Sequence, residues 1–95
     1  MFHLTRKAYE DLKGIAIYTQ KNWGKNQCVI YLKMMDNAFN ELSNNPRIGK
    51  KIDDIRKGYY KYVIGKHLIF YRMVSKNDIE IVRILYQRMD IESHF

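Results

Sequence analysis

The sequence predicts an α+β domain of order β-α-α-β-β-β, with a helical hairpin packed on one face of an antiparallel sheet. Two patterns carry this prediction. Between residues 5 and 42, apolar residues recur at the spacing of amphipathic helices, and from residue 59 onward they alternate with polar residues as in strands. A chain of 95 residues supports one two-layer core, so we expect a single domain over residues 1–95.

The first helix is predicted by its boundaries and by an apolar stripe. A short apolar segment, Phe2–Leu4, is expected to form an edge strand, and Thr5 after it is a suitable N-cap. Gly24 can end the helix because glycine readily adopts the backbone conformation found just beyond helix ends. The stripe consists of Ala8, Leu12, Ile15, Ala16 and Thr19.

A second helix is expected almost immediately after the first. Asn26 can cap its start, and it must end before Pro46, since the residue preceding a proline is disfavoured in helical geometry. The connection is so short that the two helices must form an antiparallel hairpin. The stripe of the second helix consists of Cys28, Tyr31, Leu32, Met35, Phe39 and Leu42.

The carboxyl-terminal half predicts a loop followed by three strands. Residues 47–58 carry glycines and alternating charges, which indicates a long loop with one helical turn near residues 53–55. Gly65 occupies the first central position of a type II′ hairpin turn, and residues 75–78 form a second turn, so the strands should make an antiparallel meander. The helix-free sheet face is expected to be partly open. One face of the last strand should carry Ile79, Ile81, Arg83 and Leu85.

The composition indicates a small, folded, positively charged protein. The net charge is +7, and between Arg47 and Arg72 eight basic residues are opposed only by Asp53 and Asp54. This region should attract a polyanion or an acidic protein, with a solvated basic face as the alternative. A single cysteine, no signal-like leader and no membrane-length apolar run predict a cytoplasmic protein.

Motifs for metal, nucleotide or thiol chemistry are lacking. The three histidines lie far apart, and Cys28 falls on an apolar stripe, so we expect neither a metal site nor a cysteine nucleophile. The five glycines are isolated and form no phosphate-binding loop. No cofactor is expected.

Two groups of residues would suit nucleic acid. Three tyrosines at positions 59, 60 and 62, interleaved with lysines, could stack single-stranded bases, although tyrosine is also common in half-buried strands. Arginines near the last strands could bind RNA phosphates, while a Tyr or His assists the attack of a 2′-hydroxyl on the phosphate. This second group is Arg72, Arg83, Tyr86, Arg88 and His94. The simpler interpretation is that Arg72 and Arg83 form cross-strand ion pairs and that Tyr86 fills core.

Several motifs, none decisive alone, occur in one order along nearly the whole chain. They are YT…WG (residues 18–24), Pro46 with Gly49, IR-G-Y (residues 55–59), His67 with IFYR (residues 69–72), and RIL-x-x-RMD (residues 83–90). In this combination the chain resembles the ParE branch of the ParE/RelE superfamily, whose members are toxins of type II toxin–antitoxin operons.

The resemblance implies the same β-α-α-β-β-β fold and a growth-inhibiting protein that binds DNA gyrase, through its A subunit, rather than an enzyme. It also implies neutralisation by a ParD-like antitoxin in a toxin–antitoxin hetero-oligomer. The antitoxin should be acidic and partly disordered, laying an amphipathic helix on the hairpin and adding a strand at the sheet edge. Direct binding of nucleic acid by the chain alone is not expected.

Roles for individual residues follow from these implications. The target-binding group is expected to be Arg56, Arg72, Arg83, Arg88, Met89 and Asp90. The antitoxin-binding group is expected to be Arg6, Lys7, Trp23, Tyr59 and Tyr62. A structural ion pair between Arg56 and Asp90 is the alternative for those two residues.

Two other functions stay open. A RelE-like, ribosome-dependent messenger RNA endoribonuclease would use Arg72, Arg83, Tyr86 and His94 as catalytic residues. The gyrase-directed function is favoured because few basic residues lie on the last strand and because the RMDIES segment matches that branch better. A homologue that has lost toxicity and only binds antitoxin is the third possibility.

The sequence departs from the family at Tyr86, where histidine is common, and at Arg6 and Lys7, where the helix often begins with acidic residues or proline.

Overall fold

The computed structural model describes residues 1–88, in which two helices pack on a five-stranded sheet. The elements are β1 (Phe2–Leu4), α1 (Arg6–Trp23), α2 (Lys25–Asn44), β2 (Lys50–Lys51), β3 (Tyr59–Ile64), β4 (His67–Ser75) and β5 (Asp78–Tyr86). The sheet order is β1-β5-β4-β3-β2. The predicted α+β class and element order are confirmed, with two differences. β1 pairs with β5 in parallel, so the sheet is mixed, and the predicted loop contains the short strand β2.

A single glycine, Gly24, connects the two helices of the hairpin. Thr5 caps α1 as predicted, since its Oγ1 accepts a hydrogen bond of 3.0 Å from the Ala8 N–H. Gly24 follows α1 with φ +92° and also precedes α2, which begins at Lys25. Asn26 therefore lies inside the first turn of α2, and its predicted role as the cap is wrong. The φ value at Gly24 suits glycine, because a Cβ would be strained there.

The main core lies between the hairpin and the sheet. Its fully buried side chains come from both layers and include Ala8, Met35, Leu42, Ile69, Tyr71, Ile79 and Ile81. Tyr71 also anchors the segment after α2, because its hydroxyl donates to the Pro46 carbonyl (2.8 Å) and accepts from the Gly49 N–H (2.9 Å). A Cβ on Gly49 would lie 2.9 Å from the Lys61 carbonyl oxygen, so only glycine fits this approach.

The opposite sheet face, here called the far face, carries a second and smaller core. Ile52 and Ile55 from the loop before β3 cover Leu68, Phe70 and Leu85 from the strands. The loop holds a helical turn as predicted, in which the Arg56 N–H donates to the Ile52 carbonyl (2.8 Å). The far face is thus partly covered by the chain itself, which the sequence did not indicate.

A β-bulge in β5 changes which residues share a face. Arg83 lies opposite Phe70 and Ile81 lies opposite Tyr71, so Val82 is an extra residue on β5. Ile79 and Ile81 face the helices, and beyond the bulge Ile84 does so as well. Leu85 packs instead in the far-face core, so its predicted position beside Ile79 and Ile81 is wrong. Strict alternation failed here because the bulge shifts the phase by one residue.

The predicted hairpin turn between β3 and β4 is confirmed. Ile64 pairs with His67, and Gly65 has φ +56° while Lys66 has a negative φ, as a type II′ turn requires. Within residues 1–88, neither helix is long and apolar enough to cross a lipid bilayer.

Candidate functional site

A cleft of about 480 Å³ lies between α1 and the second half of β5. It exists because β1 pairs only with Ile79, Glu80 and Ile81 of β5. Beyond the bulge, β5 has no neighbouring strand on this side within the described residues, and α1 passes in front of it. Side chains that line the cleft include Glu10, Tyr18, Trp23, His67, Arg83 and Tyr86.

The base of the cleft is held by an ion pair between α1 and β5. The Arg83 Nε lies 2.8 Å from Asp11 Oδ2, and the Arg83 Nη2 lies 2.9 Å from Asp11 Oδ1. Both side chains are mostly buried, with 17% and 16% exposed. The hydrogen bonds to Asp11 raise the pKa of Arg83, and burial opposes this. Asp11 Oδ2 also accepts the Ile84 N–H at 3.0 Å, which satisfies a backbone donor on the open strand.

The rim of the cleft is aromatic and exposed. Tyr18 is 64% exposed, Trp23 is 66% exposed and Tyr86 is 38% exposed. Large exposed aromatic side chains around a concave surface are typical of a binding site, since they bury much apolar area when a partner arrives. The expectation that Tyr86 fills core is therefore wrong. Among residues 1–88, no group of three His, Cys, Asp or Glu side chains is placed to hold a metal ion.

His67, which lines the cleft, is hydrogen-bonded to Tyr31 of α2. The Tyr31 hydroxyl lies 2.6 Å from His67 Nδ1 and accepts the Lys66 N–H at 3.2 Å. Burial lowers the pKa of His67 and raises that of Tyr31. Either tautomer of a neutral His67 can make this hydrogen bond, with Nδ1 accepting the hydroxyl proton or an Nδ1–H donating to the hydroxyl oxygen. The pair ties α2 to the turn between β3 and β4, beside the ring of Tyr86.

Two arginines of the predicted RNA-directed group, Arg72 and Arg83, have separate carboxylate partners. Arg72 forms the expected cross-strand ion pair, with its Nε 2.9 Å from Glu80 Oε1. The hydrogen bond to Glu80 raises the pKa of Arg72. Arg83 is paired too, but with Asp11 on a helix, so its predicted cross-strand partner is wrong. Arg88 is exposed just after β5, and His94 lies outside the described residues.

The structure spreads the predicted target-binding residues over several surfaces. Arg72 lies opposite Tyr59 on the far face. The Arg56 Cζ lies over the ring of Tyr59, 5.5 Å from the ring centroid. Arg83 lies at the base of the cleft. Met89 and Asp90 lie outside the described residues, and so does the alternative ion pair between Arg56 and Asp90. The role of this group stays a prediction.

The predicted antitoxin-binding residues also lie apart. Arg6 and Lys7 are exposed in the first turn of α1, where Arg6 lies 3.8 Å from Glu10. Trp23 lines the cleft, Tyr59 packs in the far-face core and Tyr62 packs against the main core. Their binding role likewise stays a prediction.

Sequence reasoning missed other residues of the cleft. Asp11, Tyr18 and His67 were not assigned to any site, although Tyr18 lies off the predicted apolar stripe of α1 and that was a usable signal. The tyrosine platform for single-stranded bases does not form. Tyr60 is 5% exposed and stacks on Tyr71 inside the main core.

Comparison with known proteins identifies the family. Residues 2–91 match the family model described as the ParE toxin of the type II toxin–antitoxin system. The chain belongs to the ParE toxin family. Toxin ParE1 of Mycobacterium tuberculosis is 39% identical over 89 residues, covering 94% of this chain and 91% of that protein. Toxin ParE1 of Caulobacter vibrioides is 30% identical over 93 residues, covering 98% and 95%. The predicted ParE/RelE membership is confirmed.

Solved structures show the same fold. The chromosomal ParDE system of P. aeruginosa aligns with a TM-score of 0.75 at 20% identity, covering 90% of this chain and 92% of that one. The YoeB–YefM complex of Staphylococcus aureus aligns with a TM-score of 0.61 at 23% identity, covering 92% and 95%. At these identities the likeness establishes the α+β architecture of this ParE-family toxin.

The ion pair at the base of the cleft should matter more for stability than the one on the far face. Asp11→Ala should lower the free energy of unfolding by about 3 kcal/mol, because it leaves the mostly buried Arg83 without its main partner. Glu80→Ala should cost less than about 1 kcal/mol, since that pair is more exposed. Urea unfolding of both variants measures the difference, and equal losses would contradict this ranking.

Stability should also depend on the protonation of His67. Because burial lowers its pKa below the ordinary 6.5, the unfolded chain takes up a proton first as the pH falls. The contribution of His67 to the free energy of unfolding should therefore be complete above about pH 6.5, decrease as the pH falls from there to the lowered pKa, and level off below it. Urea unfolding at several pH values should show a flatter dependence in His67→Gln. The matched control His3→Gln, at an exposed position, should keep the wild-type slope.

Proposed function

We propose that this ParE-family toxin arrests growth in the cytoplasm by inhibiting DNA gyrase, and that a ParD-like antitoxin neutralises it by occupying the cleft between α1 and β5. The observation that carries the proposal is a cleft with an aromatic rim beside the open half of β5. The chain's family consists of toxins from toxin–antitoxin systems.

The cleft suits a peptide that folds when it binds. An extended segment can add to the open half of β5 through main-chain hydrogen bonds, while its side chains reach the cleft. Trp23, Tyr18 and Tyr86 supply apolar area for an amphipathic helix on the neighbouring surface of α1. Lys66 at the end of the cleft suits the acidic character expected of an antitoxin. The structural relative from P. aeruginosa is itself a toxin–antitoxin system by name, and the relative from S. aureus is a complex of two proteins.

Binding rather than RNA cleavage is favoured by the state of the arginines. A nuclease would need guanidinium groups that converge on one phosphate together with an acid–base pair. Arg72 and Arg83 are instead engaged by Glu80 and Asp11. Arg72 lies on the far face and Arg83 at the base of the cleft, so among residues 1–88 these two guanidinium groups do not converge on one phosphate. Gyrase inhibition requires only a contact surface, for which Arg56 and Arg72 on the far face and Arg88 beyond β5 are the proposed residues.

Induction of the chain alone in a bacterial host tests the activity. Growth should stop, plasmid supercoiling should be lost or gyrase-linked DNA breaks should appear, and messenger RNA should stay intact. Co-expression of the ParD-like antitoxin should restore growth. Cleaved messenger RNA with normal DNA would assign the endoribonuclease function instead, and continued growth would indicate a homologue that has lost its toxicity.

Variants at the cleft rim test the antitoxin surface. Trp23→Ala with Tyr86→Ala should weaken antitoxin binding by at least tenfold, because the loss of a single aromatic hot spot, about 2 kcal/mol, already exceeds a tenfold change. Isothermal titration of the purified proteins measures this change. The control is Val63→Ala with Val74→Ala, which removes two exposed apolar side chains outside the cleft. Unchanged affinity in the aromatic variant would place the antitoxin elsewhere.

A further inference from the structure

We propose that the far face carries a binding site for the phosphate backbone of duplex DNA. The site, here called the basic patch, consists of Lys50, Arg56, Lys57 and Lys61. This deepens the proposed function, since gyrase acts on duplex DNA, and it revises the sequence-based expectation that the chain alone does not bind nucleic acid.

The centre of the basic patch is a pair of lysines on neighbouring strands. Lys50 of β2 lies directly opposite Lys61 of β3 in the antiparallel ladder, so their side chains leave the same face of the sheet. Lys61 is also opposite Phe70, which belongs to the far-face core, and this fixes the pair on the far face. Like charges placed directly opposite each other oppose folding. An anion between them would remove that repulsion.

The rest of the patch is held on an ordered turn. The Arg56 guanidinium lies over the ring of Tyr59, which precedes Lys61 by two residues and therefore shares its face. Lys57 follows Arg56 in a turn closed by the Gly58 N–H, which donates to Asp53 Oδ1 at 2.9 Å. The positive groups thus have fixed backbone positions, which lowers the entropy lost when a rigid polyanion binds.

The lysines of the patch are not neutralised within the described residues. The ion pairs Met1–Asp78, Arg6–Glu10, Arg72–Glu80 and Arg83–Asp11 lie elsewhere, and no ion pair within residues 1–88 includes Lys50, Lys57 or Lys61. Between Arg47 and Lys61 the sequence holds six basic residues and two acidic ones. Of the two acids, Asp53 is occupied by the Gly58 N–H.

The chemistry of the patch favours a phosphate backbone over an acidic protein. Protein interfaces are depleted in lysine and are anchored by buried aromatic or aliphatic groups, whereas nucleic-acid backbones are bound mainly by lysine and arginine. Duplex is favoured over single-stranded nucleic acid because Tyr60 and Tyr62 pack towards the main core, while the ring of Tyr59 on the far face lies under the Arg56 guanidinium.

The basic patch and the cleft lie on different parts of the molecule. β2 and β3 lie at one edge of the sheet, whereas β5 and β1 lie at the opposite edge, with β4 between them. Antitoxin and DNA can therefore bind at the same time.

Titration of a short fluorescent duplex of random sequence with the full-length toxin, at increasing salt, tests the site. Lys50→Gln with Lys61→Gln should weaken binding, and the slope of log affinity against log salt should become shallower by about 2, since each phosphate contact contributes roughly 0.9. The control Lys13→Gln with Lys33→Gln removes the same charge from exposed helical positions and should keep the wild-type slope. The melting temperature of the patch variant should be unchanged or higher, because its substitutions remove a repulsion between two lysines. A loss of duplex affinity in this variant would therefore not result from unfolding.

Equal slopes in the patch and control variants would overturn the proposal. A loss of antitoxin affinity in the patch variant, with duplex binding intact, would also overturn it and assign the patch to an acidic protein. Patch-dependent duplex binding by a wild-type chain that does not inhibit gyrase would support the patch while refuting the gyrase function.

Discussion

The limited reach of β1 along β5 is the constraint on which the functional surface depends. Three residues of β1 pair with β5, and the remaining half of that strand would otherwise expose backbone donors and acceptors. Asp11 satisfies one of these donors and simultaneously binds Arg83, so one carboxylate holds α1 at a fixed position in front of the open strand. The cleft is the space that this arrangement leaves. Its aromatic rim and its open strand therefore share one structural cause.

Charge separates the two surfaces of the toxin. Around the cleft, acidic side chains form ion pairs within the chain: Asp11 with Arg83, and Glu10 with Arg6. On the far face, the loop before β3 brings Ile52 over the sheet and carries basic residues with it, so the small second core and the basic patch form together. The domain thus has a cleft with an aromatic rim beside β5 and a positive surface on the far face.

Much of the fold could be predicted because its signals are local. Thr5, Gly24, Pro46 and Gly65 each act through the backbone of their own segment, and all four lie where the sequence placed them in caps, ends or turns. The bulge at Val82 could not be predicted in the same way, since it is defined by pairing with β4 and leaves no pattern in β5 alone. The motifs likewise identified the family, because their order along the chain is itself sequence information.

The candidate surfaces depend on contacts between distant segments, and these decided what the motifs left open. By itself the sequence determined the α+β class, the hairpin, the excess of basic charge and membership of the ParE family. Only the tertiary structure showed that Arg83 is bound by Asp11, 72 residues away, and that Lys50 lies opposite Lys61. An arginine has the same sequence signal whether it is paired or exposed. Its role is set by the side chains that folding brings within hydrogen-bond distance, so residue type and spacing were insufficient to assign it.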